Sequence, residues 1–67
     1  MAVIKTIDLV GVSHESWTDA AQKAIEEATK TLRNVEGFTV LETSAVVDGS
    51  VITEYHTSVR IRFRISR

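Results

Sequence analysis

From Val51 to Ile65 the side chains alternate in character at almost every step, with Val51, Thr53, Tyr55, Thr57, Val59, Ile61, Phe63 and Ile65 on one set of positions and Glu54, His56, Ser58, Arg60, Arg62 and Arg64 on the other. A period of two fits an extended strand whose faces meet different surroundings. One face packs; the other is wet or functional. Fifteen residues at about 3.3 Å each reach roughly 50 Å. In a chain of 67 residues, that length governs what the remaining segments must do.

The segment before it, Val35 to Val47, reads as an antiparallel partner. The two are joined through Asp48-Gly49-Ser50, whose Asp-Gly pair supplies the positive φ angles of a tight hairpin turn. Ala2 to Val10 is a further strand, with Val3, Ile7 and Leu9 on one side, ending in a turn at Gly11. Between lies a helix. Ser16 is its N-cap, and Asp19 takes the reciprocal place of a capping box. Trp17, Ala20, Ala21, Ala24, Ile25, Ala28, Leu32 and Val35 recur at helical spacing, so the helix is predicted from Trp17 to about Asn34. The fold class is α+β in the order β-α-β-β, with one helix on a three-stranded antiparallel sheet. No proline-rich, repeated or low-complexity stretch interrupts it, so residues 1–67 are expected to form one domain.

An 18-residue helix spans about 27 Å, while the hairpin strands reach about 43 to 50 Å. One helix cannot cover such a sheet. The uncovered length must twist around the helix, protrude or be covered by another copy, and two sheet edges stay unpaired. A chain this short hides only about 60% of its unfolded surface and usually needs a disulfide, a metal or partner subunits. There is no cysteine, and His14 and His56 are too far apart, without a thiolate, to make a structural zinc site. A closed homo-oligomer is the expected solution.

Eight basic and nine acidic residues leave a net charge of −1. That balance argues against nucleic acid as a partner. No apolar run approaches the roughly 20 residues of a membrane span, and the start lacks the pattern of a signal peptide, so a cytoplasmic location is expected. No nucleophile, base and orienting group fall together, and the glycines form no phosphate loop. An enzyme is not expected.

The sequence resembles a known family through Lys5, Val10-Gly11-Val12-Ser13, Ser16-Trp17 with Ala20-Ala21 and Ala24-Ile25, Thr31-Leu32-Arg33-Asn34-Val35, the Glu54-Tyr55 pair, and Val59 with Phe63. These residues resemble those of the dodecins, small β-α-β-β proteins that assemble as twelve copies in a hollow shell. The resemblance implies a non-catalytic homo-dodecamer that binds or stores a small ligand, chiefly a flavin such as riboflavin or FMN, stacked in pairs at subunit contacts. In flavin-binding members a tryptophan opening the second strand stacks on the ring, and a glutamine in the third strand bonds its pyrimidine edge. The matching positions here are Gly37 and His56. Gly37 provides no stacking surface, and Phe38 is expected on the opposite face of the pleat. An imidazole replaces only part of an amide's paired hydrogen bonding. Strong riboflavin binding by the usual mode is therefore not expected.

The Ser16-Trp17 pair without a tryptophan in the second strand is also similar to a calcium-linked subgroup. Calcium, the alternative ligand, wants six to eight oxygens. Asp8, Glu15, Asp19, Glu36, Glu42, Asp48 and Glu54 are too scattered to supply them within one subunit. A shell without flavin, purely structural, is the other alternative. His56 is the residue most suited to touch a ligand, against the plainer reading of a strand histidine paired with Glu54. Arg60, with Arg62 and Arg64, can attract a phosphate-bearing ligand, although alternating arginines more often serve solubility, edge protection and salt bridges between subunits. Trp17 is read as a core or interface anchor, and His14 as exposed.

Overall fold

The computed structural model describes residues 2–65; Met1, in the strand-like start, lies outside the described residues. Strand β1 spans Val3–Ser13, helix α1 Trp17–Thr29, strand β2 Val35–Asp48 and strand β3 Val51–Ile65. The sheet order is β1-β3-β2. Both pairings are antiparallel, so the long alternating strand is the central one. This is the expected β-α-β-β arrangement.

The alternation of β3 reads directly as two faces. Thr57, Val59 and Ile61 are buried under α1, each at 1% exposure or less. The helix is anchored where β1 ends. Ser16 Oγ accepts from the backbone N–H of Asp19 at 2.9 Å, as an N-cap should. Asp19 does not complete a capping box. Its carboxylate instead accepts from the buried Ser13 hydroxyl at 2.6 Å and from Lys23 Nζ at 2.8 Å. Ser13 Oγ in turn accepts from the N–H of Glu15 at 2.9 Å. The strand end and the first helical turn are thus tied by one network.

Bonding to Lys23, then to Ser13, holds the Asp19 carboxyl below the usual carboxylate range. Arg60 does the same for Asp8. A carboxyl with a depressed folded pKa stabilises above its unfolded value of about 4 and loses that contribution as pH falls toward the folded value. Thermal melts from pH 5 to pH 3 should show a falling midpoint, with a shallower fall in Asp19→Asn. An identical slope in that variant would contradict the assignment.

Three boundaries differ from the sequence reading. Strand β1 does not turn at Gly11 but continues through it to Ser13. Gly11 pairs with Thr57 on the helix face, and a Cβ there would collide with the carbonyl of Ala20. The glycine serves close helix approach rather than a turn. Helix α1 ends at Thr29, five residues before Asn34. The chain tightens as Thr31 N–H bonds to Ala28 O at 3.3 Å, and Asn34 then turns it with a φ of 61°. Leu32 and Val35 still pack on the core, which is why their spacing looked helical. Finally, Asp48 pairs with Val51, leaving Gly49-Ser50 as the loop. Positive φ falls on Gly49 alone, at 65°, the pattern of a type II′ turn rather than the type I′ that Asp-Gly suggests.

Register shifts interrupt the β2–β3 pairing beside Glu36, Leu41 and Thr53. Such bulges increase local twist. They let the sheet bend beside a helix of thirteen residues, about 20 Å long, in a protomer 52 Å in its longest extent. The buried apolar residues are Ala20, Ala21, Ala24, Ala28, Val59 and Ile61. Four of the six are alanines, so the core is thin.

Candidate ligand-binding site

Two surfaces of this fold can hold something, one on each side of the sheet. The face away from α1 carries the residues singled out in the sequence. His56 lies across from Val12 and Ser44, Arg60 across from Asp8 and Thr39, and Gly37 across from Arg62. All three share that face, but they do not converge. From His56 to the Arg62 position opposite Gly37 is six residues, about 20 Å along the strand. A compact ligand touching both needs residues from two copies of the chain.

His56, Arg60 and Arg64 each have a defined partner on this face. His56 Nε2 lies 3.0 Å from Glu54 Oε1, the plainer of its two expected pairings. Arg60 grips Asp8 through two bonds, Nε to Oδ1 at 2.9 Å and Nη2 to Oδ2 at 3.0 Å. Arg64 Nε donates to Glu36 Oε2 at 3.0 Å. Over Gly37 lies the Arg62 guanidinium, filling the space that a side chain would take. Phe38 pairs with Ile61 on the helix face, as the pleat requires. Tyr55, Phe63 and Trp17 also lie on that side. With no described aromatic on the outer face, the residues present do not fit a flavin stacked there on a side chain.

The second surface was not anticipated. Helix α1 leans over β1 and β3 and leaves β2 largely uncovered. A cavity of about 280 Å³ results, lined by Trp17, Thr18, Ala21, Phe38, Val40, Thr43 and Thr57. Trp17 forms its end wall, with Nε1 donating to Ser44 O at 2.8 Å and its ring edge-on to Tyr55 at 4.7 Å. Thr57 Oγ1 donates to Trp17 O at 2.9 Å and closes the floor. His14, exposed as expected, reaches Thr53 O with Nδ1 at 3.0 Å. The bulge at Leu41 is what puts Thr43 on this side, opposite Thr57. A strict count of two from Gly37 and Thr39 would have put it on the other.

Among the described residues no group of three or more His, Cys, Asp or Glu side chains could hold a metal ion. No described helix is long and apolar enough to cross a membrane.

The Dodecin family model matches residues 3–66. The chain belongs to the dodecin family. A curated dodecin of Thermus thermophilus is 35% identical over 63 residues, covering 94% of this chain and 91% of the relative. The crystal structure of an arginine-to-alanine variant of a T. thermophilus dodecin superposes with a TM-score of 0.94 at 33% identity, covering all of both chains. That of a calcium dodecin from Mycobacterium tuberculosis, described as calcium chelating with a novel calcium-binding site, superposes with a TM-score of 0.82 at 29% identity, covering 96% and 91%. Within this dodecin, Gly11 against the Ala20 carbonyl and the small-residue stripe of α1 hold the fold together. Gly37, Arg60, Arg62 and His56 lie together on the sheet face away from α1.

Proposed function

We propose that this dodecin is a non-catalytic binding protein that works as a homo-oligomeric shell of twelve subunits. Its ligand sites form where the outer sheet faces of neighbouring copies meet. The observation that carries this reading is exposure. Twelve large apolar side chains are exposed among the described residues, including Val10 at 58%, Val47 at 55% and Val51 at 62%, while Val59 and Ile61 are the only large apolar ones buried. A protomer with that balance exposes more than it hides, and copies covering one another resolve it. The scatter of Gly37 on β2 and of Arg60 and His56 on β3 fits sites completed by a second copy.

Gly37 and His56 weaken the flavin mode that the family name brings with it. A flavin would have to be held by hydrogen bonds and charge rather than by an aromatic side chain. Calcium is the second reading, favoured by the similarity to the calcium dodecin. Because no described acidic cluster exists within one chain, an ion would have to gather carboxylates from several copies.

Native mass spectrometry of the freshly purified assembly tests the binding reading. The expected result is a particle of about twelve chains of 7.4 kDa carrying a discrete excess mass, released on denaturation. A bare particle would contradict storage and leave a structural shell. An excess of about 40 Da per site, removed by a chelator, would select calcium.

A further inference from the structure

We propose that His56 and Glu54 form half of a site for a borderline divalent cation such as zinc, completed by the same pair from a second copy. The proposal rests on the reading that the outer sheet faces of neighbouring copies meet, and it adds a metal ion to that contact.

The pair has the geometry of two ligands. Glu54 and His56 stand two residues apart on β3, so both side chains leave the same face. The register shift at Thr53, immediately before Glu54, interrupts the ladder there, and a bulge of this kind re-aims the side chain beside it. His56 Nε2 and Glu54 Oε1 come within 3.0 Å of each other. A zinc ion bound to both at about 2.0 to 2.2 Å in tetrahedral geometry needs them about 3.4 Å apart. The two atoms therefore have only a few tenths of an ångström to open. With its proton on Nδ1, the neutral imidazole presents a lone pair at Nε2 to the ion.

The surroundings make the second argument. The side chains of His56 and Glu54 are only 30% and 38% exposed in the protomer. On the same face Val12 lies opposite His56, Val10 opposite Ser58 and Val46 opposite Glu54, and all three valines are exposed. A second copy resting on these valines shuts the pair into an apolar ring. A carboxylate taken out of water there needs a counter-charge. Arg60, the next basic side chain along the strand, is already held by Asp8, and Glu42 opposite Ser58 only adds negative charge. One divalent cation shared by two copies balances both Glu54 carboxylates, and the two imidazoles bring the protein ligands to four. A nitrogen donor from each copy selects zinc, cobalt or nickel over calcium and magnesium, which take oxygen. No third such ligand converges within one chain among the described residues, so the site is incomplete without the second copy.

Calorimetric titration of the chelator-treated full chain with zinc and with calcium, alongside light scattering, tests the site. Zinc should bind at about one ion for every two chains, and at least about tenfold more tightly than calcium. H56Q should lose zinc binding, and E54Q should weaken it at least about tenfold. H14Q removes the other histidine of the chain while keeping a donor for Thr53 O, and should bind as wild type does. If H56Q fails to assemble, E54Q and the ratio of zinc to chains in wild type decide. No zinc binding by wild type, one ion per chain, equal affinities for zinc and calcium, or undiminished zinc binding in H56Q or E54Q would each overturn the proposal. A twelve-chain particle that ignores zinc sinks this inference alone. A chain that is monomeric without zinc and pairs when zinc is added sinks the twelve-subunit reading and leaves the site standing.

Discussion

Replacing Gly11 with alanine should cost about 3 kcal/mol or more and lower the thermal midpoint further than any other single methyl group added to this chain. The added carbon would strike the carbonyl of Ala20, with Ala24 Cβ close behind. Backbone cannot swing aside as a side-chain tip can. The helix must lift off β1, and that opens the gap over Thr57 and strains the network of Ser13, Ser16 and Asp19. Gly37→Ala is the informative contrast. There the added carbon meets only the end of the Arg62 side chain, which can rotate away, so stability should change by much less. Thermal melts of the two variants check this, and equal losses would show that the close approach at Gly11 is not what fixes the helix.

Ile61→Ala is expected to be nearly as damaging, at about 2 to 5 kcal/mol. Ile61 is fully buried, pairs with Ile7 on one side and Phe38 on the other, and faces a helix that offers mostly alanine. Alanines cannot repack into the space an isoleucine leaves, so the cavity should persist. Denaturant unfolding of the variant reads the loss directly. A cost below about 1 kcal/mol would mean that the site collapses and that the core is less dependent on this residue than its burial implies. Gln22→Ala, on the exposed side of α1, should stay within about 0.5 kcal/mol of wild type.

What could be read in the sequence follows from how sharply each segment is two-faced. Strand β3 is buried on one side along its centre, so its alternation announced both the strand and its faces. The start of α1 was equally plain, because Ser16 at the cap is a local signal that needs no tertiary context. The end of α1 was not, since Leu32 and Val35 pack on the same core from a non-helical segment and continue the apparent period. In the sequence Gly11 looks like a turn because a lone glycine after a strand usually is one, and only the approach of Ala20 reveals its other use. Strand β2 was the least legible. It is largely exposed in the protomer, so its composition does not report on faces, and the bulges that place Thr43 in the cavity have no sequence mark.

The candidate site was legible as a face but not as a site. Gly37, Arg60 and His56 do lie on one side of the sheet, as alternation required, yet about 20 Å of strand separates the ends of the set. The seat of Arg62 on Gly37 was beyond reach, because it depends on which residue of β3 stands opposite a glycine after a bulge at Glu36. Register of that kind is set by the whole sheet rather than by either strand.

A helix of 13 residues beside strands of 14 and 15 predicts that this chain is a subunit of a closed assembly. Light scattering across a dilution series measures that most directly. A constant mass of about 90 kDa, twelve chains of 7.4 kDa in closed symmetry, is the predicted result. A particle that scatters as a stable, folded monomer or dimer would contradict it.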